Sequence, residues 1–119
     1  METIGRWGER VAAAHLRGSG CEILATNWRA GRYEIDLVIR DGSSIAFVEV
    51  KTRSDGPEDP LEAIDRHKRR NIRIAAARWI ATRAESACEY RFDVVAVRRS
   101  GGRLRTIQHL PGAFTGDDI

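Results

Sequence analysis

A chain of 119 residues is long enough for one domain with its own core and too short for two of ordinary size. Charged residues make up 31% and the hydrophobic set 42%, a balance that excludes wholesale disorder, and no stretch nears the roughly 18 apolar residues of a membrane span. The formal charge of +3 permits a polyanionic partner without requiring one.

The N-terminus, Met1 to Arg6, lacks the apolar core of a secretion signal. Cys21 and Cys88 stand far apart with no CxxC spacing, so buried thiols are expected rather than a zinc site or a disulfide. A cytoplasmic protein with no membrane partner is the resulting expectation.

Thr3 to Arg17 reads as a helix stopped by Gly18-Ser19-Gly20. Ile4, Trp7, Val11 and Ala14 recur at helical spacing, and Glu9, Ala12, Ala13 and Leu16 make a second, mostly apolar face. The helix is therefore expected to be buried over much of its circumference. Glu9 among small apolar residues is costly to bury unless something neutralises it. If this helix crosses the sheet, Glu9 is a candidate acidic ligand; otherwise it is an exposed helix position.

Strands are predicted at Cys21–Trp28, Tyr33–Arg40 and Ile45–Thr52, with Asp41 to Ser44 as the turn between the last two. Alternation puts Glu34, Asp36, Val38 and Arg40 on one face and Ile35, Leu37 and Ile39 on the other. A two-residue turn or a four-residue loop pairs Arg40 with Ile45. That register sets Asp36 opposite Glu49 and Glu34 opposite Lys51, with Cβ atoms roughly 4.5–5.5 Å apart.

Two opposed carboxylates repel, and Ile35, Leu37, Phe47, Val48 and Val50 surround them with apolar surface. A divalent cation between them, or a proton on one of them, relieves the conflict. Oxygen ligands with open positions suit Mg²⁺ or Mn²⁺. Lys51, on the face of Glu49, is then placed to orient water or to neutralise phosphate charge. The bland alternative is a surface ladder in which Glu34 pairs with Lys51 while Asp36 and Glu49 face solvent.

Arg53 to Pro60 is predicted to be a loop and Leu61 to about Arg83 a helix, with Leu61, Ile64, Ile72, Ala75, Ala76, Trp79 and Ile80 on its apolar stripe. Lys68 interrupts that stripe and is expected to point toward the sheet and the acidic pair. Arg69, Arg70 and Arg73 cluster beside it as candidate phosphate contacts, against the alternative of a solvated basic face. Arg29 and Arg32 interleave with Trp28 and Tyr33 at the mouth of the hairpin, where an aromatic ring can stack on a base while the arginines, with Arg53, hold phosphates. His15, His67 and His109 show no ligand spacing and receive no role.

Strands at Arg91–Arg98 and Leu104–Leu110 close the domain, residues 1–110, and the tail 111–119 is expected to be loosely held. The order helix, three strands, helix, two strands predicts an α/β fold with one sheet flanked by helices.

Asp36, twelve intervening residues and Glu49-Val50-Lys51 resemble the signature of the PD-(D/E)XK nuclease superfamily. Gly5-Arg6-Trp7-Gly8-Glu9, Glu34-Ile35-Asp36-Leu37, Phe47-Val48-Glu49-Val50-Lys51, Lys68 and Arg91-Phe92-Asp93-Val94-Val95 more closely resemble the YraN family, small bacterial proteins similar to archaeal Holliday-junction resolvases. The resemblance runs from about Gly5 to Val97. It implies a restriction-endonuclease-like core with a mixed central sheet. It further implies metal ligation by Asp36, Glu49 and the Val50 carbonyl, Lys51 as the catalytic lysine, and Glu9 as the helix-borne acid of the site. Tyr33 departs from the family, which usually has glycine before Glu34.

The function these residues imply is Mg²⁺-dependent hydrolysis of DNA, branched or junction DNA in particular, with a homodimer as the natural source of structure selectivity. The alternative is a non-catalytic DNA-binding module that docks onto another DNA-processing protein.

Overall fold

The computed structural model describes residues 1–54, 64–83, 87 and 89–115. The order is α1 (Ile4–Gly18), β1 (Glu22–Ala30), β2 (Tyr33–Asp41), β3 (Ser44–Ser54), α2 (Arg66–Thr82), β4 (Glu89–Ser100) and β5 (Arg103–Phe114), the α/β order expected from the sequence. The expected loop at 53–60 begins later than foreseen, because Arg53 and Ser54 belong to β3, and 55–60 lie outside the described residues.

Thr3 caps α1, its hydroxyl accepting from the Arg6 N–H at 3.1 Å. Only one face of α1 is buried, made of Gly8, Ala12, Ala13 and Leu16, while Ile4 and Ala14 are exposed. The expectation of burial around most of the helix is thus corrected: α1 lies on the outside of the sheet, so one stripe suffices. Gly8 sets how closely it lies. A Cβ there would stand 1.8 Å from the Thr52 hydroxyl oxygen, so any side chain would force α1 away from β3.

The five strands form one mixed sheet in the order β1-β2-β3-β4-β5, with β3 and β4 parallel and the other neighbours antiparallel. The parallel pair needs a crossover, which α2 provides on the face opposite α1. Arg40 pairs with Ile45 across a two-residue turn, Gly42-Ser43, as the hairpin argument required.

Asp65 caps α2 by accepting from the Lys68 N–H at 2.8 Å, so Ile64 precedes the helix although its side chain is buried. Residues 61–63 of the predicted helix lie outside the described residues. Two apolar layers result. In one, Ala12 and Leu16 of α1 pack on Leu37, Ile39, Val48, Val95 and Val97 of the sheet. In the other, Ile72, Ala76 and Trp79 of α2 pack on Ile35, Val38, Phe47 and Val94, with the Phe47 and Trp79 rings edge to face at 5.7 Å.

The expected end of the last strand at Leu110 is also corrected. β5 continues to Phe114, whose buried ring stacks on Phe92 at 5.1 Å, and that apolar anchor explains why the chain past Pro111 stays on the sheet. Residues 116–119 of the expected tail lie outside the described residues. Among the described residues no helix is long and apolar enough to cross a membrane.

Candidate metal centre

The hairpin contains a break that alternation did not foresee. Leu37 and Ile39 pack in the α1 layer, yet Ile35 packs in the α2 layer with Val38. Two residues on one strand with an odd residue between them should share a face, so the phase reverses at Asp36. The same reversal occurs across the ladder in β1. Thr26 pairs with Leu37, Trp28 pairs with Ile35 and packs in the α2 layer, and between them Asn27 has a left-handed backbone, φ 46°. Asparagine tolerates that region better than most residues because its short polar side chain bonds locally.

The reversal turns Asp36 toward β3. The pairing of β2 with β3 runs from the turn as far as Leu37 and Val48, and the Val50 N–H donates to Asp36 Oδ2 at 2.8 Å. A side chain therefore fills the place of a backbone carbonyl where the strands part. Glu49, 4% exposed, is the next position inward on β3. Its Oε1 lies 3.5 Å from Lys51 Nζ and 3.4 Å from Lys68 Nζ, so the break in the α2 stripe does bring Lys68 to the acidic pair.

Burial pushes the Asp36 carboxyl up to about 7, with the Glu49 charge adding to the rise and Glu9 contributing less; the Val50 N–H and Lys68 pull the other way. The site is short of positive charge at Asp36. Glu9 is held from β1, where Asn27 Nδ2 donates to its Oε1 at 2.6 Å and the side-chain Oδ1 of Asn27 accepts from Arg6. It forms one wall of a cavity of about 290 Å³ between α1 and β1, with Arg6, Arg10 and Arg17 along the same lining.

These residues fit a hard divalent cation in charge and donor type. Asp36 and Glu49 offer carboxylate oxygens, and the unrelieved repulsion on Asp36 is what a cation would remove. Among the described residues no three His, Cys, Asp or Glu side chains form a cage by themselves. A cation there would take its remaining ligands from backbone oxygen, such as that of Val50, and from water.

The remaining candidates disperse. Glu34 does not meet Lys51; it binds Arg29 Nη2 at 2.8 Å across β1 and β2, because the hairpin opens before that register is reached. The ladder alternative, which needed Glu34 on Lys51, goes with it. Arg53 Nη1 donates to the Thr52 carbonyl, and Arg69 turns to the Ile64 carbonyl and the Phe114 ring. Arg70 and Arg73 are exposed on α2. Arg32 sits over the Tyr33 ring at 5.2 Å.

A family profile described as "Uncharacterised protein family UPF0102" matches residues 8–97. The chain belongs to UPF0102, the YraN family that its motifs resemble. UPF0102 proteins of Beutenbergia cavernae and Frankia casuarinae are each 46% identical to it, over 93% and 95% of this chain and 95% and 97% of their own. One of Syntrophotalea carbinolica is 43% identical over 97% of this chain and 94% of its own.

The matched span of this UPF0102 chain includes every residue of the acidic site, Glu9, Asp36, Glu49, Lys51 and Lys68. It also includes Asp93, whose role sequence reasoning missed. Asp93 is fully buried and accepts from Arg91 Nε at 3.0 Å, from His109 Nε2 at 2.7 Å and from the Gly112 N–H at 3.0 Å, while Arg91 reaches on to Asp41 at 2.7 Å. Burial alone would push this carboxyl up; the bonds from His109, Arg91 and Gly112 outweigh it and hold the group below its ordinary value. His109, given no role from sequence, thus ties β5 to β4. Cys21 beside this network is a buried thiol, pushed up by burial first and by the Asp41 charge next, and so unreactive; Cys88 lies outside the described residues. Asn27 was missed as well, although an asparagine inside a run of strand formers was a readable signal.

Proposed function

We propose that this chain is a divalent-metal-dependent endonuclease acting on DNA, with branched DNA as its preferred substrate. The observation that supports it most is Asp36, turned by a phase reversal into the gap between β2 and β3, facing Glu49 and pushed up to about 7. A fold element kept for stability alone would add a guanidinium or an imidazole to the single Val50 N–H that Asp36 receives, as the same sheet does at Asp93.

In this reading Asp36, Glu49 and the Val50 carbonyl would hold Mg²⁺ or Mn²⁺, which would supply Lewis acidity toward water and phosphate. Asp36 would have to give up its proton to serve as a ligand, which its raised value permits near neutral pH. Lys51, beside Glu49, neutralises charge that develops on the phosphate oxygens and holds the attacking water in line. Glu9, oriented by Asn27, accepts a hydrogen bond from that water and helps to align it. The water oxygen bonds to phosphorus and its proton passes to solvent, the bond to the leaving oxygen breaks, and that oxygen takes up a proton from solvent. Lys68 leaves Glu49 for the substrate phosphate as the strand enters.

A second reading has one observation in its favour. Glu49 already has two lysines within 3.5 Å, so a non-catalytic DNA-binding module that docks onto another DNA-processing protein would keep this cluster as an internal salt network. Titration calorimetry with Mn²⁺ and Mg²⁺ on wild type, Asp36→Ala and Glu49→Ala, with cleavage of linear and four-way DNA in the same buffers, separates the two. The nuclease reading expects binding lost in both variants and metal-dependent cutting of the junction by wild type. A wild type that binds DNA but no metal would leave the module reading in front.

A further inference from the structure

A second group of cations stands at the β1–β2 turn, apart from the metal centre. Arg32 Cζ lies 5.2 Å from the Tyr33 ring centroid and its Nη2 donates to the phenol oxygen at 3.2 Å. Arg78 reaches over from α2, its Cζ 5.1 Å from the same centroid, and its Nη1 donates to the Ala30 carbonyl at 3.4 Å. Arg70, two helical turns earlier on α2, acts electrostatically on the same phenol.

All three arginines are exposed, and among the described residues no carboxylate pairs with any of them. Glu34, the nearest acidic residue along the chain, is already bound to Arg29 at 2.8 Å. A solvated basic face would let these side chains spread apart to lower their repulsion. Here a tyrosine ring and a backbone carbonyl draw two of them together, and most of their N–H donors remain available for an anion. The same geometry changes the part expected of Tyr33. Its ring is engaged by guanidinium groups, so it brackets cations rather than stacking on a base, and what it assembles suits phosphate oxygens.

Tyr33 precedes Asp36 by three residues on β2, on the order of 10 Å along the strand. That separation equals the axial rise of about three base pairs of a duplex. We infer that Arg32 and Arg78, gathered by Tyr33, with Arg70 earlier on the same helix, form a clamp for backbone phosphates of duplex DNA a few nucleotides from the bond at the metal centre. The inference rests on the nuclease reading for its distance to the cut, and on the cation cluster alone for binding. Tyr33 is a positioning residue: it touches the arginines, not the DNA.

The test is equilibrium binding of a labelled duplex of about 20 base pairs in chelator, at salt between about 50 and 200 mM. Arg78→Ala should weaken binding about tenfold. It should also reduce the slope of log affinity against log salt by about 0.9, the loss of one phosphate contact. Arg78→Lys should keep the slope. Tyr33→Phe should retain most of the affinity through its ring, whereas Tyr33→Leu, which leaves net charge unchanged, should lose both affinity and slope.

Wild-type slope in Arg78→Ala and Tyr33→Leu would overturn the clamp. So would equal weakening of a polyglutamate competitor, since that would mean unspecific attraction of anions. Cutting assays with Mn²⁺ on the same proteins separate the two proposals. Reduced slope in Arg78→Ala together with no cutting by wild type would support the clamp and sink the nuclease reading. Unchanged slope with normal cutting would do the reverse.

Discussion

Asp36 and Asp93 are carboxylates on strands two apart in one sheet, and the fold treats them in opposite ways. Asp93 receives a guanidinium, an imidazole and a backbone N–H, and its carboxyl is held low in spite of complete burial. Asp36 receives one backbone N–H, faces Glu49 and Glu9, and is pushed up to about 7. The sheet can therefore satisfy a buried carboxylate when the carboxylate serves to hold strands together. At Asp36 it supplies a single N–H donor beside a second carboxylate, and the proposed metal site rests on that difference.

The sharpest way to break the contrast is at its satisfied member. Asp93→Ala should lower unfolding free energy by about 3–5 kcal/mol, because Arg91 and His109 lose their buried partner. Chemical denaturation at pH 7 would measure it, and a loss below about 1 kcal/mol would mean that the network contributes little. The pH dependence has a definite sign. A carboxyl held below its ordinary value of 3.8 stabilises the fold above about pH 4, and that contribution disappears as pH falls through the folded value. The variant should therefore lose less stability than wild type on acidification.

At Asp36 the sign is reversed, and the effect is smaller because the group is only half-buried. The folded chain keeps a proton that the unfolded chain gives up, so stability should fall as pH rises from about 4 to about 7 and stay lower above that. Asp36→Asn, still able to accept from the Val50 N–H, should be more stable than wild type by about 1–2 kcal/mol at pH 8 in chelator. Below pH 4 the two should coincide. Thermal melts across this range would check it, and a variant less stable than wild type at pH 8 would refute the account of the site. Millimolar Mn²⁺ should raise the melting temperature of wild type and not of the variant.

The smallest expected effect sharpens the comparison at the phase reversal. Asn27→Gly keeps the left-handed backbone and removes the bonds to Arg6 and Glu9, so stability should change by less than about 1 kcal/mol. Asn27→Val cannot adopt φ 46° without strain and should be destabilised by a further 1–2 kcal/mol or about that. Urea unfolding of the pair would measure the difference. Equal stability would mean that the backbone at 27 does not set the turn of Asp36.

Much of the fold was legible because it rests on local pattern. The glycines after Arg17 bounded the first helix, and the two-residue turn at Gly42-Ser43 carried the register of Arg40 with Ile45, whereas the start of α2 was set too early because the Asp65 cap went unread. Lys68 was readable as an inward-pointing cation because it broke an apolar stripe. The face of α1 was misjudged, since both of its faces are apolar in sequence and only the depth of the sheet beneath decides which one is covered. Glu34 was misassigned because strict alternation cannot register a phase reversal caused by the backbone of a residue on the neighbouring strand.

By itself the sequence determined the order of elements and the register of Arg40 with Ile45 in the central hairpin, and it singled out Glu9, Asp36, Glu49 and Lys51 as candidates for chemistry. Local periodicity and turn chemistry act over a few residues, and these features need no more than that. Tertiary structure alone decided which carboxylates are satisfied. Asp93 meets His109 sixteen residues away, Asp36 meets the Val50 N–H fourteen away, and Glu9 meets Asn27 eighteen away. Whether a buried charge finds its counter-charge depends on what other strands and helices bring to it, and that is why the difference between Asp93, held low, and Asp36, pushed up, appears only in the folded chain.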